Sequence, residues 1–153
     1  MTELVATQRY RFDDLHPEQT DFYTDVIQGL AAPEPYILPK YFYDETGSQL
    51  FAEICKTREY YPTRTEVGII RDNIDDIVAM LGKQCLLIEP GSGDSYKVRL
   101  LLDALRPVAY LPIDISQRYL QNEAKKLAKE FTWLQVHAIC ADFTRQVDLP
   151  CYS

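Results

Sequence analysis

The sequence predicts an α/β fold: an N-terminal helical segment, then the front half of a parallel, doubly wound sheet in the order β-α-β-α-β. Three observations carry this. Three short apolar runs, CLLIEP, VAYLPID and WLQVHAIC, fall between residues 85 and 140. Two segments with helical apolar spacing separate them, and the links are short. The first run ends in Gly91-Ser92-Gly93, the tight turn by which such sheets pass from strand to helix.

The elements follow in order. Residues 1–15 are polar and expected to be loosely held. A helix should follow Pro17, because Phe22, Val26 and Leu30 recur at helical spacing and proline suits a first turn. Residues 31–39 carry three prolines and must be extended or looped. A short helix over 48–57 would bury Leu50, Phe51 and Ile54. Thr63 with Glu66 reads as a capping box. It would open one long helix with the stripe Val67, Ile70, Ile74, Ile77, Val78 and Leu81, ended by Gly82.

CLLIEP then reads as a strand buried on both faces. Val98, Leu101, Leu102 and Leu105 mark a helix, and VAYLPID a second strand. Ser116 is expected to cap a helix carrying Leu120, Ala124, Leu127 and Phe131, and WLQVHAIC is the third strand. Only 13 residues follow Cys140. The first strand would therefore be a raw sheet edge with an unpaired backbone ladder. This predicts either the front part of a larger protein or a small sheet completed by another subunit, with self-association through that edge.

Composition narrows the function. The 153 residues include 16 Lys and Arg against 23 Asp and Glu, a net charge of −7, which disfavours sequence-independent nucleic-acid binding. The excess sits in residues 1–84, with 8 basic and 15 acidic side chains; residues 85–153 hold 8 of each. No apolar run approaches the roughly 20 residues of a membrane span. The N-terminus has no apolar signal region, so a cytoplasmic setting is expected. Cys55, Cys85, Cys140 and Cys151 form no CxxC pair, and with only His16 and His137 no metal site is expected. Cys85 and Cys140 read as small core residues.

The candidate chemistry lies at the strand ends. Glu89 ends the first strand, before Gly91 and Gly93. Asp114 ends the second, 21 residues beyond Gly93, a spacing that suits an acid accepting from ribose hydroxyls. Asp142 and Phe143 follow the third, where they could accept from an adenine amine and lie on its ring. Tyr96 stands where a dinucleotide fingerprint has its third glycine. A carboxylate-rich site also suits a sulfonium better than a pyrophosphate. The other reading is a tight turn with acids that cap helices. Lys97 is either a solvated lysine or a contact to a cofactor carboxylate. Five of the 11 tyrosines fall between residues 36 and 61, as interface packing or as the lining of a small-molecule pocket.

The segments LPKYFYDETGSQLFAEICKTREYYPTRTE, LIEPGSGDSYKVRLLLDAL, AYLPIDIS and ADF together resemble the histidine-specific S-adenosylmethionine-dependent methyltransferases, over about residues 15–150. The resemblance implies a Rossmann-like class I methyltransferase sheet and transfer of methyl groups to the α-amino group of L-histidine, as in ergothioneine synthesis. It implies that Gly91, Lys97, Asp114, Asp142 and Phe143 bind the methyl donor. Tyr60, with Tyr61 beside it, would hold the histidine carboxylate, and Tyr43 would sit near the reacting amine. Pro90 and Tyr96 depart from the family's glycine-loop pattern.

On this reading residues 1–84 contribute to the substrate site, and residues 85–153 form a partial donor-binding domain. The imidazole-reading parts are expected after residue 153. The chemistry expected is in-line displacement at the sulfur-bound methyl by an unprotonated amine. The competing readings are a donor-binding or scaffold fragment without turnover, and a dinucleotide-binding oxidoreductase fragment.

Overall fold

The computed structural model describes residues 9–15 and 22–149. Its elements are β1 (Tyr10–Asp14), α1 (Phe22–Leu30), a 3-10 turn (Pro39–Phe42), α2 (Glu45–Ile54), α3 (Pro62–Asp72), α4 (Ile74–Leu81), β2 (Leu86–Pro90), α5 (Tyr96–Leu105), β3 (Ala109–Asp114), α6 (Gln117–Glu130) and β4 (Gln135–Cys140). The strands form one sheet in the order β1-β4-β3-β2, parallel at every pairing.

The expected β-α-β-α-β unit is β2-α5-β3-α6-β4. β3 is buried along almost its whole length, because the sheet flanks it on both sides. Alternation splits its residues between two clusters. Tyr110 joins Val98 and Leu102 of α5, Leu120, Ala124 and Leu127 of α6, and Val136 and Ala138 of β4. Ala109, Leu111 and Ile113 pack with Ile139 and Ala141 on the other face. Both crossover helices therefore cover the same side of the sheet.

The sheet draws on both parts of the chain, because β1 comes from the region expected to be loose. Its residues pair with β4 from Tyr10↔Val136 to Asp14↔Cys140. Tyr10 and Phe12 pack against the core, while Asp13 accepts from Arg11 and contacts His137 Nε2 at 2.8 Å. Gln117 at the start of α6 donates to Asp14 at 2.7 Å. The expectation for residues 1–8, and the stretch 16–21 that contains Pro17, lie outside the described residues.

Several local expectations are corrected. β2 is the edge strand, as expected, but it is not buried on both faces: Leu86 is 37% and Ile88 38% exposed. α2 starts at Glu45, because Asp44 caps it by accepting from Gly47 N at 2.7 Å. Its Leu50, Phe51 and Ile54 stay exposed, and Ser48 is its buried residue. Phe22 and Leu30 of α1 are also exposed.

The Thr63 capping box does not form. Pro62 opens α3 with no side-chain cap. The long helix is two, broken at Asn73, whose amide side chain donates to Ile69 O at 2.8 Å. Gly82 ends α4 with φ +76°. Ser116 stands at the cap position of α6, but its hydroxyl makes no cap bond and lies 3.4 Å from that of Ser48. Cys140 is buried, whereas Cys85 is only half-buried. Among the described residues no His/Cys/Asp/Glu group could hold a metal ion, and no helix is long and apolar enough to cross a membrane.

Candidate functional site

The site grows from the glycine loop at the carboxyl end of β2. Gly91 and Gly93 take φ of +68° and +53°, backbone that favours residues without a Cβ. Three donors sew the loop to the end of β3. Gly91 N donates to Ile113 O at 2.7 Å and Ser92 N to the same carbonyl at 3.3 Å. Gly93 N donates to Asp114 Oδ2 at 3.3 Å. The other Asp114 oxygen accepts from Ser116 N at 2.9 Å. One carboxylate thus ties the loop to the entrance of α6.

The end of β4 reaches the same place. A methyl group added at Gly91 would lie 3.5 Å from Phe143 Cζ, so the ring sits over the bare turn. Asp142 is held beside it by Thr144, which donates from its backbone N at 3.0 Å and its hydroxyl at 2.6 Å. The hydroxyl bond holds the Asp142 carboxyl below its ordinary value despite burial.

Opposite this wall stand the helices of the first half of the chain. Between them lies a cavity of about 450 Å³. Tyr43, Phe51 and Tyr60 line it as a chain of edge-to-face rings, 6.0 and 5.7 Å between successive centroids. Arg64, from the first turns of α3, pins the turn that carries Tyr60. Its guanidinium donates to Thr57 O at 3.1 Å, to Tyr60 O at 3.2 Å and to Arg58 O. Lys97 on α5 meets both carboxylate oxygens of Glu66 on α3 at 3.0 Å.

Eight of the ten predicted site residues line this cavity: Tyr43, Tyr60, Gly91, Gly93, Lys97, Asp114, Asp142 and Phe143. Two do not. Tyr61 is 63% exposed at the start of α3. Glu89 lies on the sheet face beneath α5, where it accepts from Tyr110 Oη at 2.5 Å. Burial raises the Glu89 carboxyl, while the Tyr110 bond and the Lys97 charge oppose this. Burial, followed by the Glu89 charge, pushes Tyr110 well above its ordinary value, so it remains the donor.

A prediction follows for Glu89. An acid with a raised folded value stabilises the fold most below its unfolded value, near 4.5, and loses that contribution as pH rises through the folded value. Glu89→Gln should flatten this decline, measured by urea unfolding over about pH 4–7. An unchanged profile would remove Glu89 as its source.

Sequence reasoning missed Ser48, Phe51, Cys55, Glu66 and Tyr119, which also line the cavity. Tyr119 is pushed up to about 12 by burial and then by the charge of Glu123, so its hydroxyl stays protonated. Its position in the first turn of α6, at the carboxyl edge of the sheet, was the available signal.

The walls can be tested against a nucleoside with a cationic sulfur. The glycines leave backbone bare, four carboxylates (Glu66, Asp94, Asp114, Asp142) stand in the lining, and rings flank it. Ser92, also in the lining, has a buried hydroxyl with no hydrogen-bond partner among the described residues. A polar, positively charged ligand with hydroxyl groups fits this set.

Comparison with known proteins agrees. The chain is 40% identical over 123 residues to the histidine N-alpha-methyltransferase of Mycolicibacterium smegmatis, covering 78% of this chain and 38% of that protein. The Mycobacterium tuberculosis protein of the same name is 39% identical over 123 residues, with the same coverage of each. An N-methyltransferase of Aspergillus flavus is 32% identical over 113 residues, 71% of this chain and 32% of that protein. The chain thus spans under two fifths of the length of the relatives it matches. Residues 22–151 match the family described as histidine-specific methyltransferase, SAM-dependent, and with these motifs gathered around one cavity the chain belongs to that family.

Proposed function

We propose that this chain carries the methyl-donor site, and part of the acceptor wall, of an S-adenosylmethionine-dependent enzyme that methylates the α-amino group of L-histidine, as in ergothioneine synthesis. The observation that carries the reading is the meeting of the glycine loop, Asp114 and Asp142-Phe143 across one cavity from Tyr43 and Tyr60. When bound, S-adenosylmethionine would supply an electrophilic methyl carbon on a sulfonium, open to an unprotonated amine.

Each residue has a job within this reading. Asp114 accepts from ribose hydroxyls, and Asp142 from the adenine amine. Phe143 shields the base from water over Gly91. Lys97 binds the carboxylate of the donor's amino-acid tail. Tyr60 donates its hydroxyl to the acceptor's carboxylate, and Tyr43 stands near the acceptor's amine. Tyr61 is a neighbour outside the cavity lining, and Glu89 supports the loop from beneath. The front helices serve the acceptor, and residues 85–153 cradle the donor. A reducing, cytoplasmic setting suits the free thiols Cys55, Cys85 and Cys140.

Calorimetric titration with S-adenosylhomocysteine, beside NAD, tests the donor site. Saturable binding of the first and none of the second is expected; the reverse would favour the oxidoreductase reading. A radiolabelled methyl-transfer assay with histidine separates an active chain from one that binds the donor without turnover. Self-association through the open β2 edge is checked by sedimentation velocity, where a concentration-independent monomer ends it.

A further inference from the structure

The cavity wall holds a pair of opposite charges that the donor reading uses only in part. Lys97 Nζ sits 3.0 Å from each oxygen of Glu66, and both side chains line the cavity. Lys97 is 38% and Glu66 52% exposed, and an ion pair this wet contributes little stability of its own. It is therefore easily opened. The pair also joins the two walls, since Glu66 belongs to α3 and Lys97 to α5.

We propose that Glu66 binds the α-ammonium of the donor's amino-acid tail. This deepens the donor-site reading above and rests on it. An amino acid is a zwitterion, and it needs one cation and one anion a few ångströms apart. Lys97 and Glu66 are such a couple, in contact at 3.0 Å. On binding, the ligand's carboxylate takes the Lys97 side of the pair and its ammonium the Glu66 side, so neither protein charge is left unpaired.

The surroundings favour a carboxylate in the ammonium role. The polar hydroxyls of the cavity could serve a cation only as neutral acceptors. Asp114 and Asp142 are assigned to the ribose and the adenine, and Asp94 accepts from Tyr96 N at 3.0 Å within the loop. Glu66, held among the described residues by the lysine alone, can re-aim. The tail would then bridge α3 and α5, fastening the acceptor wall to the donor wall.

Calorimetry on this chain with three ligands tests the assignment. S-adenosylhomocysteine has both tail charges, its decarboxylated analogue only the ammonium, and methylthioadenosine neither. Glu66→Gln should weaken the two ammonium-bearing ligands by about 10-fold or more and leave methylthioadenosine unchanged. Lys97→Met should weaken S-adenosylhomocysteine alone, since Glu66 is then freed for the analogue. If Glu66→Gln weakens all three ligands equally, or none, Glu66 is merely structural and the proposal is overturned. If the unaltered chain binds none of them, the donor site itself is refuted, and this proposal with it.

Discussion

Asp114→Ala should weaken S-adenosylhomocysteine binding by at least about 100-fold. The carboxylate is expected to accept two hydrogen bonds from one ribose, and hydrogen bonds to a charged group contribute about 1.5–3 kcal/mol each. Two of them correspond to roughly two or more decades of affinity. The substitution also frees Gly93 N and Ser116 N, which Asp114 now holds at 3.3 and 2.9 Å. The loop and the start of α6 should then exchange amide hydrogens faster. Asp114→Asn separates the two roles: it can still accept from one of these backbone donors, so the loop should hold while affinity falls. Calorimetry gives the affinity and hydrogen exchange the loop. Unaltered affinity in the alanine variant removes Asp114 from the donor site.

Gly47→Ala should unsettle the opposite wall. A Cβ at Gly47 would lie 1.9 Å from Phe42 O and 2.8 Å from its carbonyl carbon. Backbone atoms cannot swing aside as a side-chain tip can, so the start of α2 must move. The helix carries Phe51 into the cavity wall, Cys55 follows at its C-cap, and its Ser48 hydroxyl reaches that of Ser116. Overpacking of this kind costs about 2–3 kcal/mol, a melting temperature lower by roughly 5–10 °C for a chain of this length. Gly68→Ala is the internal contrast. It lies inside α3 with nothing within 4 Å of the added methyl, so it should stabilise by about 0.5–1 kcal/mol. Paired thermal melts check both, and equal melts would refute the steric argument.

The parts legible in the sequence were those with a strong period. β2, β3 and β4 are unbroken apolar runs, and α5 and α6 carry stripes that the structure buries. That Asp114 and Asp142 would share one cavity was legible because strand ends fix where a parallel sheet opens its crevice. β1 was not legible. Only Tyr10 and Phe12 of its five residues are apolar, and His137, which contacts Asp13 of its polar face, comes from a strand distant in sequence. The break at Asn73 was invisible because the apolar stripe runs on across it. Glu66 was read as a local cap, whereas its partner Lys97 lies 31 positions away. Local pattern finds elements; it does not find partners across the fold.

The placement of β1 sets an order of events. Asp13 and His137 lie 124 positions apart. Translation runs from the N-terminus at roughly 5–20 residues per second, so about 6–25 s pass on the ribosome before the berth for Tyr10 and Phe12 has been made. Contacts this remote close late and slow the search. Of these four strands, the one synthesised first is thus the last that can dock.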